Sequence, residues 1–257
     1  MKYKLTLISS LLITGIACSL LFLSTAWSAD LQTTIKDVTD ALGMGKNKRA
    51  SSSSSPDNDK TSLGLKEALL VGIQNAVKKA GSENGFYKND AIKILLPENL
   101  EKADSFIRQL GGDQLSDAFI KKMNLAAEKS APQALDIFSR SIKEIKIDDA
   151  VKLLSARGNA ATEYLEGKTS ESLKSSFYPV VKITMEELGA VKLYNEYIGK
   201  YESNPLLKMA GLEIDINKYV TDKTIDGLFL MVADEEGKIR KNPEARITDL
   251  LKDVFGK

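Results

Sequence analysis

The chain has 257 residues, of which 43% are hydrophobic and 28% charged, and its 36 lysines and arginines almost balance 35 acidic residues. This length allows one large domain or two small ones, and a balanced charge gives no electrostatic reason to expect nucleic acid as a partner. The sequence contains no histidine and a single cysteine, Cys18, which excludes Ser-His-Asp and Cys-His nucleophilic sites, His or Cys zinc sites and internal disulfides.

The first 29 residues have the pattern of a bacterial secretory signal. Lys2 and Lys4 precede an uncharged apolar stretch over 5–23, and the segment 24–29 that follows consists of small residues except for Trp27. This order of positive charge, apolar run and small residues is typical of signal peptides. We therefore predict a signal peptide over 1–29 and an exported, periplasmic protein.

Two other fates of this N-terminal segment stay open. The apolar stretch of about nineteen residues is nearly long enough to span a bilayer, so an uncleaved inner-membrane anchor is one alternative. The residues before Cys18 are similar to a lipoprotein box, so lipidation at Cys18 is the other. In both alternatives the N-terminal segment makes the only membrane contact that we expect.

Residues 30–61 are predicted to form a short amphipathic helix followed by a linker. Apolar side chains recur in the first part at helical spacing, at Leu31, Ile35, Val38 and Leu42. The stretch 46–60 contains five consecutive serines, and we expect a flexible, solvated tether there. The short helix is either a satellite packed on the main domain or a docking segment for a partner or a membrane surface.

The rest of the chain, 62–257, is predicted to be a single irregular multi-helix domain of the all-α class. Its first helix is capped by Ser62 and stops at Gly81. Pro179 lies inside an apolar helical pattern, so we expect a kink or a break there. The other predicted helices cover 97–110, 113–131, 132–145, 148–157, 159–166, 170–201, 217–236 and 243–255.

Two short segments interrupt this helical pattern. Apolar and polar residues alternate over 91–96 and again over 212–216, and turn residues bound both segments. This period of two indicates strands, and we predict that the two segments pair as a small two-stranded β ribbon.

Two of the helices have the pattern of central ones. The run 228–233 is apolar on all sides, as expected for a helix surrounded by others. The helix over 113–131 is apolar around most of its circumference. Its polar residues form one stripe, made of Asp117, Lys121, Asn124 and Glu128.

Several short segments of this domain are informative when they are taken together in chain order. They include Gly64-Leu65-Lys66-Glu67-Ala68-Leu69, Met123-Asn124 with Ala126-Ala127-Glu128, Asp226-Gly227-Leu228-Phe229, Asn242-Pro243 and Val254-Phe255-Gly256. With their neighbours they resemble the domain of unknown function 4197 family of exported bacterial proteins over about residues 63–257. The resemblance implies export and a helical fold, and it implies no activity because none is assigned to the family.

Three arginines are candidates for binding an anionic ligand. Arg157 ends a predicted helix, Arg240 lies between two predicted helices, and Arg246 lies at the rim of the last apolar face. If the three converged, their guanidinium groups would suit a carboxylate or a phosphate. The alternative is structural: Arg157 and Arg240 stabilise helix C-termini, and the stem of Arg246 covers the core.

A second candidate site combines an amide with a carboxylate. Asn124 and Glu128 lie four residues apart and share one side of a helix. With Thr162 or Tyr164 nearby they could bind a polar head group or position a water molecule. The structural alternative is a solvated helix face or a hydrogen bond between helices.

The leading functional hypothesis is a non-enzymatic binding or interaction protein of the bacterial periplasm or envelope. Its partner is expected to be an apolar or amphipathic small molecule, held at its polar end by one of the candidate residues, or an envelope protein. The alternatives are a periplasmic hydrolase or lyase that uses Glu128 with Tyr164 or a lysine as acid and base, and a purely structural envelope protein. No catalytic residue, metal, cofactor or nucleic acid is predicted, since no corresponding motif is present.

Overall fold

Eight α-helices form within residues 56–202 and 214–241, the part of the chain that this computed structural model describes. All of these residues belong to one compact unit. The all-α prediction is confirmed for them. The helices are α1 (Pro56–Ala80), α2 (Glu98–Gln109), α3 (Asp113–Ser130), α4 (Ala134–Lys143), α5 (Ile147–Ser155), α6 (Ala160–Glu187), α7 (Ala190–Glu202) and α8 (Ile216–Lys241), and one turn of 3-10 helix (Ala131–Gln133) joins α3 to α4.

The last described helix, α8, lies at the centre of this bundle. It packs along α6 and α1, and it also contacts α3. Leu228 and Val232 are almost completely buried, as their apolar run predicts, but Leu230 is 50% exposed. Successive helical residues point about 100° apart, so one face of this run reaches solvent. The prediction of a helix surrounded on all sides is therefore wrong at Leu230.

The first helix is longer than its sequence pattern predicts. It starts at Pro56, so residues 56–60 of the predicted tether are helical. Ser62 is buried inside α1 and is not its cap. Proline is favoured at the first position of a helix, and the acidic residues that follow Pro56 suit the positive end of the helix dipole.

Helix α6 continues through Pro179 without a break. It joins the two predicted helices 159–166 and 170–201, and the chain instead breaks at Gly189, whose φ is 70°. Phe177 and Val181 are fully buried on either side of the proline. Their packing holds the helix together where one backbone hydrogen bond is lost.

No β ribbon is formed by the described residues. Residues 93–97 have neither helix nor strand, and the backbone of Ile94 bonds to the side chain of Asn124 instead of a second strand. Of the proposed partner segment, 212 and 213 lie outside the described residues, and 214 and 215 have no strand. The alternation itself is real, because Ile92 and Ile94 are buried and Leu95 is exposed.

Two glycines of α8 provide a matched test of how this helix packs against Phe86 and Ile92. A Cβ at Gly227 would lie 2.8 Å from a ring carbon of Phe86 and 3.2 Å from the Cβ of Ile92, whereas one at Gly237 would meet nothing within 4 Å. We expect Gly227→Ala to destabilise by about 1–3 kcal/mol through overpacking. Gly237→Ala should stabilise by about 0.5–1 kcal/mol through helix propensity. Urea unfolding followed by circular dichroism measures both, and equal effects would contradict the packing at Gly227.

Candidate functional site

Glu128 is a buried carboxylate on α3 that binds the loop between α1 and α2. It is 4% exposed. Its Oε1 accepts hydrogen bonds from the backbone N–H groups of Phe86 and Tyr87, both at 3.1 Å, and its Oε2 accepts one from Asn84 at 3.2 Å. Asn84 has a φ of 60°, a left-handed conformation that asparagine tolerates and that helps neighbouring N–H groups to converge on one anion. Glu128 therefore holds this loop in place.

Asn124, one turn earlier on α3, binds the segment that follows this loop. Its side chain is fully buried. The Oδ1 atom accepts from the N–H of Ile94, and the Nδ2 group donates to the carbonyls of Ile94 and Ile120, all at 2.8 Å. The amide thus pairs with Ile94 much as a neighbouring strand would. The predicted polar stripe of α3 is therefore exposed at Asp117 but buried at Asn124, whose side chain hydrogen-bonds to the backbone of Ile94.

Thr162 and Arg240 meet through a third residue, Glu236 of α8. The Glu236 carboxylate accepts from the N–H of Ala161 at 3.2 Å, from the N–H of Thr162 at 2.8 Å and from the Thr162 hydroxyl at 2.7 Å. It also accepts from the Nε of Arg240 at 2.9 Å. Because the first N–H groups of a helix lack intrahelical partners, Glu236 caps the N-terminus of α6.

Arg240 binds the C-terminus of α5. The turn between α5 and α6, which Glu236 and Arg240 hold from its two sides, is called the α5–α6 corner. Arg240 lies in the last turn of α8 and not between two helices. Its Nη1 donates to the carbonyls of Leu154 at 3.1 Å and Ala156 at 3.2 Å, and its Nη2 donates to that of Leu153 at 2.8 Å. These are the carbonyls that a helix end leaves without intrahelical partners. Within the described residues, Arg240 therefore has a structural role.

The other two arginines do not join it in a ligand site. Arg157 is exposed in the turn after α5, and no hydrogen bond or ion pair of its side chain is found among the described residues. Arg246 lies outside the described residues. Four of the seven candidate residues, Asn124, Glu128, Thr162 and Arg240, are instead bonded to other parts of the fold.

Tyr164, the remaining candidate, lies in a polar cavity that we call the α4–α6 cleft. The cavity has a volume of about 400 Å³. Helices α4, α5 and α6 and the connection between α4 and α5 supply its walls. Glu128 and Asn124 do not line it, so the Glu128–Tyr164 pair considered for acid-base chemistry is not brought together there. The lining residues are Ile137, Arg140, Ser141, Glu144, Lys146, Asp149, Tyr164, Lys168, Thr169 and Ser172.

Most polar groups of the α4–α6 cleft have no partner among the described residues. Lys146, Glu144 and Asp149 make no ion pair with any described residue. Arg140 uses only its Nε, which donates to the carbonyl of Asp136 at 3.3 Å, so both terminal nitrogens remain available. Arg140, Lys146 and Lys168 are exposed to solvent, and all three line the same cavity.

The electrostatics of the cleft act on Tyr164. Partial burial raises the pKa of its phenol, and the negative charges of Asp149 and Glu144 raise it further. The Nζ of Lys168 lies 5.8 Å from the centre of its ring, which is within the range of a cation–π contact. The Tyr164 hydroxyl therefore remains protonated near pH 7 and can donate a hydrogen bond to a ligand.

A model of the family described as "Protein of unknown function (DUF4197)" matches residues 55–256 of this chain. The chain belongs to this family. No match was found among curated proteins or among solved structures. Membership confirms the resemblance noted in the sequence and supplies no activity, so any function of this DUF4197 protein has to be argued from its own geometry.

An enclosed apolar pocket next to Arg240 was one expectation for a ligand binder. The cavity between Leu65, Leu69 and Ile239 is apolar, but its volume is about 10 Å³, roughly the space that one water molecule requires. Among residues 56–202 and 214–241, this cavity beside Arg240 is therefore too small for an apolar ligand. No helix in 56–202 or 214–241 combines the length and the hydrophobicity needed to span a bilayer.

Arg140, Lys146 and Lys168 are not among the residues that the sequence singles out in this DUF4197 protein. They lie on α4, on the connection that follows it and on α6, with no regular spacing between them. Lysines and arginines on exposed helix faces are the rule in soluble proteins. The only sequence signal for this cleft is therefore Tyr164, which was considered in combination with other residues.

Proposed function

We propose that this chain is a non-enzymatic binding protein of the bacterial envelope, and that its ligand is a small anionic or zwitterionic molecule held in the α4–α6 cleft. The observation that carries the proposal is that Arg140, Lys146 and Lys168, which make no ion pair among the described residues, line one cavity. A volume of about 400 Å³ suits a small metabolite. The envelope location rests on the N-terminal pattern of Lys2, Lys4 and the apolar run 5–23.

The charges of the cleft define the chemistry of the ligand. Three cations, Arg140, Lys146 and Lys168, face two acids, Glu144 and Asp149, so the lining carries one net positive charge (three minus two). A guanidinium group with free terminal nitrogens favours a carboxylate or a phosphate. The two acids give a place for an ammonium group on the same ligand. A polar ligand of this kind differs from the apolar or amphipathic one that the sequence predicts.

Mass spectrometry tests the proposal. The full chain is recovered by osmotic shock, purified without detergent, and measured under native and under denaturing conditions. A mass of metabolite size that is lost on denaturation supports it. Amino acids and sugar phosphates then serve as defined probes in thermal unfolding. A ligand at a hundred times its Kd should stabilise the protein by about 2.7 kcal/mol.

A matched pair of lysines on α6 shows whether binding occurs in the cleft. Lys168 lines the cavity and Lys182 does not, and both are exposed. Lys168→Glu should lower affinity at least tenfold, because it reverses a charge next to the ligand, whereas Lys182→Glu should leave affinity unchanged. Equal affinity in the two variants contradicts the assignment to the cleft, and a chain that neither retains nor binds any probe contradicts the binding function.

A further inference from the structure

A second groove lies on a different face, between residues 91–95 and α8. Its volume is about 320 Å³. Leu95, at 58% exposed, and Leu230, at 50% exposed, border it from the two sides. Both leucines line the same groove, and exposed apolar surface that is gathered in one place is typical of interaction sites. At least half of each side chain is exposed to solvent.

The backbone of this segment offers a free edge to the groove. In a chain with strand-like alternation, neighbouring residues direct their N–H and C=O groups to opposite sides. Ile94 directs both groups to Asn124, and the Leu95 carbonyl accepts from the Tyr219 hydroxyl of α8 at 3.0 Å. The N–H of Leu95 therefore faces the α8 side too. It has no partner among the described residues, and neither does the carbonyl of Lys93.

This pair of free groups has the spacing that a parallel strand requires. One residue of an added strand donates to the carbonyl of Lys93 and accepts from the N–H of Leu95, two residues later. Exposed strand edges bind extended peptides in this way, and pockets for alternate side chains provide specificity. Asn124 occupies the opposite edge, and on the groove side Tyr219 already occupies the Leu95 carbonyl, so one residue of an added strand can pair between Lys93 and Leu95.

The charges beside the groove favour a negative group on the occupant. Lys223 is paired with Asp226 at 3.1 Å. Lys93 makes no ion pair among the described residues, and its Nζ lies over the ring of Tyr87, 4.6 Å from the centre. One positive charge is thus left uncompensated at the groove.

We propose that this groove binds an extended peptide segment of a protein partner, which adds a parallel strand to the Lys93–Leu95 edge. The segment places an apolar side chain between Leu95 and Leu230 and an acidic residue next to Lys93. This site is separate from the α4–α6 cleft and does not depend on the function proposed for it.

Selection of a displayed random octapeptide library on the full chain tests this inference. We expect apolar peptides with an acidic residue to be enriched, and the resynthesised peptides to bind in fluorescence anisotropy. Methylation of the single peptide nitrogen that donates to the Lys93 carbonyl should weaken binding at least tenfold, because it removes that donor. Leu95→Asp and Leu230→Asp should each produce a similar loss.

Leu110 supplies the control, since it is 68% exposed and does not line the groove. Leu110→Asp should leave peptide affinity unchanged. Failure to enrich any peptide over the Leu95→Asp/Leu230→Asp double variant would overturn the proposal. So would peptides that bind equally well after methylation at every backbone nitrogen, because strand addition requires backbone donors. The Lys168→Glu variant should bind the peptides normally.

Discussion

Glu128→Ala is expected to lower the free energy of unfolding by about 3–5 kcal/mol, because three backbone N–H groups lose a charged acceptor. The donors belong to Asn84, Phe86 and Tyr87, and Glu128 joins this loop, whose other backbone hydrogen bonds are local turns, to α3. Phe86 is fully buried and packs against α8 at Gly227. Release of the loop therefore loosens core packing as well as hydrogen bonding. A loss of this size is a large fraction of a typical domain's stability.

Urea unfolding followed by circular dichroism measures this effect against Glu166→Ala. Glu166 is an exposed helical glutamate whose side chain makes no bond among the described residues, and its replacement should change stability by less than about 0.5 kcal/mol. Glu128→Gln keeps the size but places an N–H donor where Oε2 or Oε1 accepts, so we expect an intermediate loss. A Glu128→Ala variant as stable as Glu166→Ala would show that the loop does not depend on this carboxylate.

Glu236→Ala is expected to cost a similar amount, about 3–5 kcal/mol, because it leaves a mostly buried guanidinium without this partner and uncaps α6. The ion pair with Arg240 is well shielded, since the two side chains are 6% and 15% exposed. Thr162 loses an acceptor for both its N–H and its hydroxyl. These losses fall on one corner of the fold.

Two further variants separate the contributions to this corner. Thr162→Val removes only the hydroxyl bond to Glu236 and should cost about 1–2 kcal/mol. Asp234→Ala, on the same helix, removes a surface ion pair with Lys238 and should change stability by less than about 1 kcal/mol. If Glu236→Ala is no more harmful than Asp234→Ala, the buried cap is not what stabilises the corner.

The helices could be predicted from the sequence because their signals are local. Apolar residues that recur with a period of 3.6 predict most of these helices. The predicted helix boundaries are wrong where one local sequence signal has two interpretations. The sequence predicts a break between 166 and 170 and a kink or break at Pro179, whereas the chain breaks at Gly189, which adopts a positive φ. Ser62 has the chemistry of a cap, but tertiary packing buries it inside α1. Local chemistry alone does not distinguish these cases.

The roles of the polar residues were less predictable, because their partners are backbone groups far away in the chain. Asn124 and Glu128 were singled out by their spacing, yet they bind backbone 30 to 44 residues upstream. Backbone N–H groups leave no residue-specific pattern in a sequence. Glu236 resembles any charged residue of an amphipathic helix, and its helix-capping role depends on how α8 packs beside α6.

The corner closed by Glu236 and Arg240 also has a consequence for the order of folding. The turn between α5 and α6 obtains its caps from residues 74 to 87 positions later in the chain. During synthesis, this turn cannot be fastened until the last turn of α8 has left the ribosome. Closing so long a loop costs entropy before any contact repays it. We therefore expect the end of α5 and the start of α6 to be fixed in place only after α8 has been synthesised.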